Sequence, residues 1–152
     1  MIKSVRDEKL NRLGIFIGKW EIELIHPLFQ SKIFGQTKFD WLENEKFMIQ
    51  QTTMKDPDFP SSTIIYDYDS NVGSYVQHYF DSRGVTRLYQ MNFQDDIWKL
   101  WRDISDFSQL DFSQRFIGHI NKSQDVIQGT WEKSDDGLSW EYDFRLIFRK
   151  VN

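Results

Sequence analysis

Tyr75-Val76-Gln77-His78-Tyr79-Phe80 runs into Asp81-Ser82-Arg83-Gly84. Val85-Thr86-Arg87-Leu88-Tyr89-Gln90-Met91-Asn92-Phe93 then runs through Gln94 into Asp95-Asp96, and Ile97-Trp98-Lys99-Leu100-Trp101-Arg102 follows. Each run alternates with period two and is rich in aromatic and β-branched residues, and each junction is a tight-turn sequence. The stretch therefore reads as three consecutive antiparallel strands. Working outward, the same texture predicts strands at 20–26, 32–42, 47–54 and 63–68 before it, and at 112–120, 126–133 and 140–149 after it. Pro57 and Pro60 fall between two of these runs and interrupt none. Many short strands with turns every eight to twelve residues mean an all-β sandwich or an up-and-down barrel.

One segment reads differently. Ser4 is placed to cap a helix with Asp7 and Glu8 in its first turn, and Leu10, Leu13, Phe16 and Ile17 follow at helical spacing until Gly18 stops it. The 152 residues carry 13 Phe, 6 Tyr and 6 Trp but no Ala and no Cys. Giving up the best helix former while keeping so many aromatics favours pleated surfaces. The length suits a single domain spanning 1–152. Absence of Cys excludes disulfides, thiolate metal sites and a cysteine nucleophile, and suits a reducing cytoplasm. A net charge of −4 argues against a general nucleic-acid binder. No apolar run is long enough for a membrane span, and acidic residues occupy the place of a signal peptide's apolar stretch.

Turn lengths then assign facing. A two-residue loop at Asp136-Gly137 pairs Trp131 with Tyr142 and Gly129 with Phe144. A four-residue loop at 121–124 pairs Phe116 with Gly129 and Gln114 with Trp131. Asp95-Asp96 pairs Phe93 with Trp98, Met91 with Leu100 and Tyr89 with Arg102. A two-residue turn within Asp81–Gly84 puts Val76, His78 and Phe80 on the face of Arg87, Tyr89 and Met91. Face matching adds Trp20, Ile22, Leu24, Phe39, Trp41, Phe47, Ile49, Ile64 and Tyr66, with an odd loop or bulge between Tyr66 and Tyr75. About ten strands sharing one apolar face close into an antiparallel up-and-down barrel, with the N-terminal helix closing one end.

Gly18-Lys19-Trp20, opening the first strand after a short helix, resembles the Gly-X-Trp motif of the lipocalins and the wider calycin superfamily. Arg149 is similar to the calycin Arg that packs on that Trp, and Tyr66-Asp67-Tyr68-Asp69…Tyr75 resembles the central lipocalin segment. Asp81-Ser82-Arg83-Gly84 and Trp131-Glu132…Asp136-Gly137…Trp140 resemble motifs of uncharacterised bacterial lipocalin-like proteins. The resemblance implies a barrel that carries a small hydrophobic ligand, with Gly18, Trp20 and Arg149 structural. Unlike most secreted lipocalins, the chain has no Cys.

The facing scheme brings Tyr66, His78, Arg87, Tyr89 and Arg102 onto the inner face. Guanidiniums in an apolar interior need partners, and a ligand carboxylate or phosphate would supply one. The alternative is that these arginines sit at the rim or pair with Asp81 or Asp103. Intracellular fatty-acid carriers have a similar Arg-x-Tyr arrangement. Met91, Gln114, Phe116, Trp131 and Tyr142 complete the expected ligand-binding set, and the wider aromatic stripe either lines or fills the interior. The reading is thus intracellular binding of a small hydrophobic or amphiphilic anion, with no catalytic residue and no metal site. The alternatives are a haem barrel of nitrobindin type, with His78 as the iron ligand, and a lipid-modifying enzyme in the same cavity. Trp101 and Ile117 leave a homodimer open.

Overall fold

The period-two runs become strands wherever they occur. In the computed structural model, which describes residues 7–42, 45–104 and 111–151, the order is α1 (Glu8–Asn11), a 3-10 turn (Arg12–Phe16), β1 (Gly18–Ile25), β2 (Ile33–Leu42), β3 (Phe47–Met54), β4 (Ser62–Asp69) and β5 (Ser74–Asp81). β6 (Thr86–Gln94), β7 (Ile97–Arg102), β8 (Ser113–Ile120), β9 (Val126–Ser134) and β10 (Glu141–Val151) follow. Each strand pairs antiparallel with its sequence neighbours, and β1 pairs with β10 to close the barrel. Closure leaves no exposed sheet edge. The expected fold class is the observed one.

The helix is shorter than its apolar spacing suggests. Asp7 is the N-cap, accepting from the Lys9 N–H at 2.8 Å, while Ser4 lies outside the described residues. After one α turn the chain tightens into the 3-10 turn, closed by the Ile17 N–H on the Gly14 carbonyl at 3.1 Å. Leu10, Leu13 and Phe16 are buried by it. Phe16 reaches Phe39, Phe93 and Trp98 at ring separations of 5.3, 5.4 and 4.9 Å, so the segment does plug one end of the barrel. β1 starts at that plugged end. The β1–β2, β3–β4, β5–β6 and β9–β10 connections therefore lie at the opposite end, the mouth.

The register corrects several expected facings. The Asp95-Asp96 hairpin is as expected, with Phe93 opposite Trp98 and Met91 opposite Leu100. Between β8 and β9 the pairing shifts by two residues, because Asn121 accepts the Asp125 and Val126 N–H groups on its side chain at 2.9 and 3.0 Å and widens the loop. Phe116 then faces Trp131 and not Gly129, and Gln114 faces Lys133 and not Trp131, with the inward side preserved.

The Asp136-Gly137 segment is not a two-residue turn. Ser134 and Asp136 side chains bind the N–H groups of Gly137, Leu138 and Ser139 and hold a wider loop. A register shift between Tyr142 and Phe144 follows. Tyr142 then lies opposite Glu132, Phe144 opposite Trp131 and Leu146 opposite Gly129.

The largest correction is β5. Phe80 lies opposite Thr86, the Asp81 N–H donates to the Val85 carbonyl at 3.0 Å, and Gly84 has φ +81. The connection is thus a three-residue loop with a left-handed glycine, and an odd loop reverses facing. Tyr75, Gln77 and Tyr79 turn inward with Met91, Tyr89 and Arg87, while Val76, His78 and Phe80 turn outward. The Tyr66–Tyr75 connection, expected to be odd, is even: Asp69 is opposite Ser74. On β3, Leu42 opposite Phe47 puts Met48, Gln50 and Thr52 inside, so Phe47 and Ile49 are on the outer face.

Candidate functional site

Between the plug and the mouth lies a cavity of about 410 Å³, within the range used for small-molecule sites. Its two sides differ. β7 to β10 contribute Trp98, Phe116, Trp131, Phe144 and Phe148. Their rings pass from one to the next, with Trp98–Phe116 at 5.1 Å, Phe116–Trp131 at 5.2 Å and Trp131–Phe144 at 6.2 Å. The Phe116 ring needs Gly129 beneath it, since a Cβ there would lie 2.2 Å from ring carbons.

β3 to β5 contribute neutral polar groups: Gln50, Thr52, Ser62 and Gln77. Behind them stands a buried chain of hydrogen bonds. Gln77 Nε2 donates to Tyr66 Oη at 2.9 Å, Tyr66 donates to Gln50 Oε1 at 2.5 Å, Gln50 Nε2 donates to Thr37 Oγ1 at 3.0 Å, and Thr37 meets Thr52 at 2.8 Å. Burial pushes the Tyr66 phenol far above its ordinary range, outweighing the opposing Gln77 bond. Tyr66 therefore stays neutral and holds the wall together; it offers no phenolate.

At the mouth the cationic groups gather. Arg83 donates to Asp81 Oδ2 through Nε at 3.2 Å and Nη2 at 2.6 Å, and Tyr79 donates to the same oxygen at 2.8 Å. Burial would raise the Asp81 pKa, but the bonds from Arg83 and Tyr79 outweigh it and hold the carboxyl at about 2. Tyr79 is pushed up, chiefly by burial. Asp81 is thus committed to Arg83 and not to Arg87. Arg87 Nη1 reaches Gln114 Oε1 at 3.5 Å, and its guanidinium lies 5.8 Å from the Phe112 ring centre. The Tyr89 hydroxyl donates to that same Gln114 oxygen at 3.0 Å. Among the described residues no carboxylate stands within ion-pair distance of Arg87. His26 completes the rim: its Nδ1 accepts from the Leu28 N–H at 3.0 Å and its Nε2 lies 3.9 Å from Asp143.

Of the ligand-binding residues expected from sequence, Arg87, Tyr89, Gln114, Phe116 and Trp131 line this cavity together. Tyr66 is interior but stands behind Gln50 and Gln77. Met91 is fully buried away from the lining, in the same core as the plug residues. Arg102 is also buried, on β7 opposite Gln114, and is not part of the lining. His78 and Tyr142 are on the outside. The odd β5–β6 loop turns His78 away from the interior, which removes it as an interior iron ligand, and the β10 shift leaves Tyr142 46% exposed.

The expected structural trio changes one member. Trp20 is buried and its indole donates to the Phe16 carbonyl at 2.7 Å. Gly18 has φ +132, with the Lys150 side chain 3.1 Å from where a Cβ would stand. The residue opposite Trp20 is Lys150, whose Nζ lies 5.4 Å from the Trp20 ring centre. Arg149 lies one position along the strand and donates to Glu23 at 3.1 Å instead.

Sequence reasoning missed the polar wall and Tyr79, because each depends on loop parity. It also missed Arg83, which sits in a turn that looked purely connective. Among the described residues, no cluster of His, Asp or Glu could hold a metal ion, and no helix is long and apolar enough to cross a membrane.

Comparison with family models finds no match, and neither does comparison with curated proteins. Among solved structures, the crystal structure of Rv2717c from M. tuberculosis matches with a TM-score of 0.64 at 12% identity, covering 97% of this chain and all (100%) of that one. At that identity the likeness is one of fold.

Proposed function

We propose that the protein binds a small hydrophobic or amphiphilic anion inside the barrel, with its head group at Arg87 and its body against the aromatic wall. The observation that carries this reading is Arg87 itself. It is a guanidinium at the cavity wall with a single long hydrogen bond to an amide oxygen and no carboxylate nearby among the described residues. Arg83 in the same mouth is paired with Asp81, whereas no carboxylate among the described residues pairs with Arg87, and a bound carboxylate or phosphate would complete it. Tyr89 and Gln114 would orient the head group through the hydrogen bond they already share. The lining of Trp98, Phe116, Trp131 and Phe144 suits a body with flat, apolar surface.

The test compares biphenyl-4-carboxylate with its neutral primary amide by calorimetric titration. Arg87→Gln should weaken the carboxylate by about tenfold or more and change the amide little, since a charge-assisted bond contributes about 1.5–3 kcal/mol. Equal weakening of both probes would make Arg87 a structural residue and end the head-group assignment.

A further inference from the structure

At the plugged end β6 runs on past β5. The last pair between them is Tyr75 with Met91, whereas Asn92, Phe93 and Gln94 continue opposite Lys99, Trp98 and Ile97 of β7. On the β5 side the chain has already left this pairing for the 70–73 turn to β4. The turn and the overrunning strand leave a notch in the barrel wall, with a cavity of about 450 Å³. It is distinct from the interior cavity, since the two linings share no residue.

The lining of the notch includes two cations and no carboxylate. Lys9 and Arg12 reach it from the plug, Lys9 half-buried and Arg12 exposed. Among the described residues neither side chain has a carboxylate within ion-pair distance. Asp7 is engaged as the helix N-cap on the Lys9 N–H, and Asp95 and Asp96 follow Gln94 in the chain without joining the lining. In a protein of net charge −4 such a cation pair runs against the overall balance. Tyr75 fixes the floor: its hydroxyl donates to the Lys9 carbonyl at 2.6 Å and ties α1 to β5. Burial raises the Tyr75 pKa and the Arg12 charge opposes it, so the guanidinium stands near that phenol.

The rest of the lining suits a flat ring with polar edges. Trp101, opposite Gln90 on the outer face of β7, contributes one aromatic side, and Tyr68, whose ring lies 5.2 Å from that of Tyr75, contributes another. Asn92 and Gln94 bring amides, each able to donate and accept. We propose that this notch is a second ligand site, for a small phosphate monoester that carries a flat ring, of mononucleotide size. Arg12 and Lys9 hold the phosphate, the ring lies against Trp101, and the two amides meet its polar edge. The site does not depend on the Arg87 reading.

The test titrates adenosine 5′-monophosphate, adenosine and ribose 5-phosphate by calorimetry. The monophosphate should bind about tenfold or more tightly than either fragment. Arg12→Gln and Lys9→Gln should each weaken it about fivefold or more while leaving adenosine and biphenyl-4-carboxylate unchanged. In the wild type, the Trp101 indole resonance of a ¹H–¹⁵N spectrum, assigned by its loss in Trp101→Phe, should move on adding the monophosphate and stay still on adding biphenyl-4-carboxylate. Equal binding of monophosphate and adenosine overturns the phosphate contact, and equal binding of monophosphate and ribose 5-phosphate overturns the ring contact. Absence of saturable binding at about 1 mM, or displacement of the monophosphate by biphenyl-4-carboxylate, overturns the site itself.

Discussion

Tyr66 sits at the middle of the buried chain that joins β5, β4, β3 and β2, donating to Gln50 and accepting from Gln77. Removing its hydroxyl alone deprives the Gln50 oxygen and the Gln77 amide of their shared partner. Tyr66→Phe should therefore destabilise the protein by about 1–3 kcal/mol, measured by urea unfolding, although it keeps every apolar contact. A neutral result would mean that the two glutamines re-pair with each other. Asp81 makes a different residue-scale prediction. Its pKa falls from an ordinary 3.8 to about 2 in the fold. A depressed carboxyl contributes stability that is fully present above the unfolded value and lost as pH falls through the folded one. The melting-temperature difference between wild type and Asp81→Asn should thus hold steady from neutral pH to about 4 and shrink between about 4 and 2. A difference that stays constant down to pH 2 would show that the Arg83 pairing has little effect on folding.

The turns decide which side chains the cavity receives. At Gly84 a Cβ would meet nothing within 4 Å, yet φ is +81. Gly84→Ala should accordingly cost about 1–2 kcal/mol from backbone strain alone, seen as a lowered unfolding midpoint with an unchanged slope. Gly129 is the opposite case: its backbone is ordinary strand, but a Cβ there meets the Phe116 ring at 2.2 Å. Gly129→Ala should cost about 1–3 kcal/mol by overpacking and should also weaken aromatic probes, because Phe116 must shift into the cavity. Equal probe affinity in Gly129→Ala and wild type would mean that the strain is absorbed elsewhere. These same turns explain what the sequence could and could not tell. All ten strands were legible, since alternation and turn residues are local. Facing is not local. Reading Asp81–Gly84 as even and the Tyr66–Tyr75 connection as odd reverses the parity of both. The two errors cancel outside β5, leaving Tyr66, Arg87 and Tyr89 inside while inverting His78 against Gln77 and Tyr79. Tyr142 was lost in the same way, to a wider loop and a strand irregularity that its Asp-Gly dipeptide concealed.

Across the whole molecule the barrel divides its work by end. The plugged end is aromatic, with Phe16 against Phe39, Phe93 and Trp98 and the Trp20 indole tied to the Phe16 carbonyl. The mouth brings together Arg83 with Asp81, Arg87 with Gln114, and His26 beside Asp143. Phe16→Ala should then lower stability by about 3–5 kcal/mol, since it deletes a ring with aromatic neighbours on three sides. Distant, unshared sites act additively to within about 0.5 kcal/mol. Where the variant is still folded, its preference for biphenyl-4-carboxylate over the amide should therefore match the wild type. Saturating carboxylate should restore part of the lost stability by mass action, about 2.7 kcal/mol at a hundred times the dissociation constant. A loss of carboxylate preference in Phe16→Ala would show that the plug sets the position of Arg87 through the aromatic wall, and that the two ends are one coupled unit.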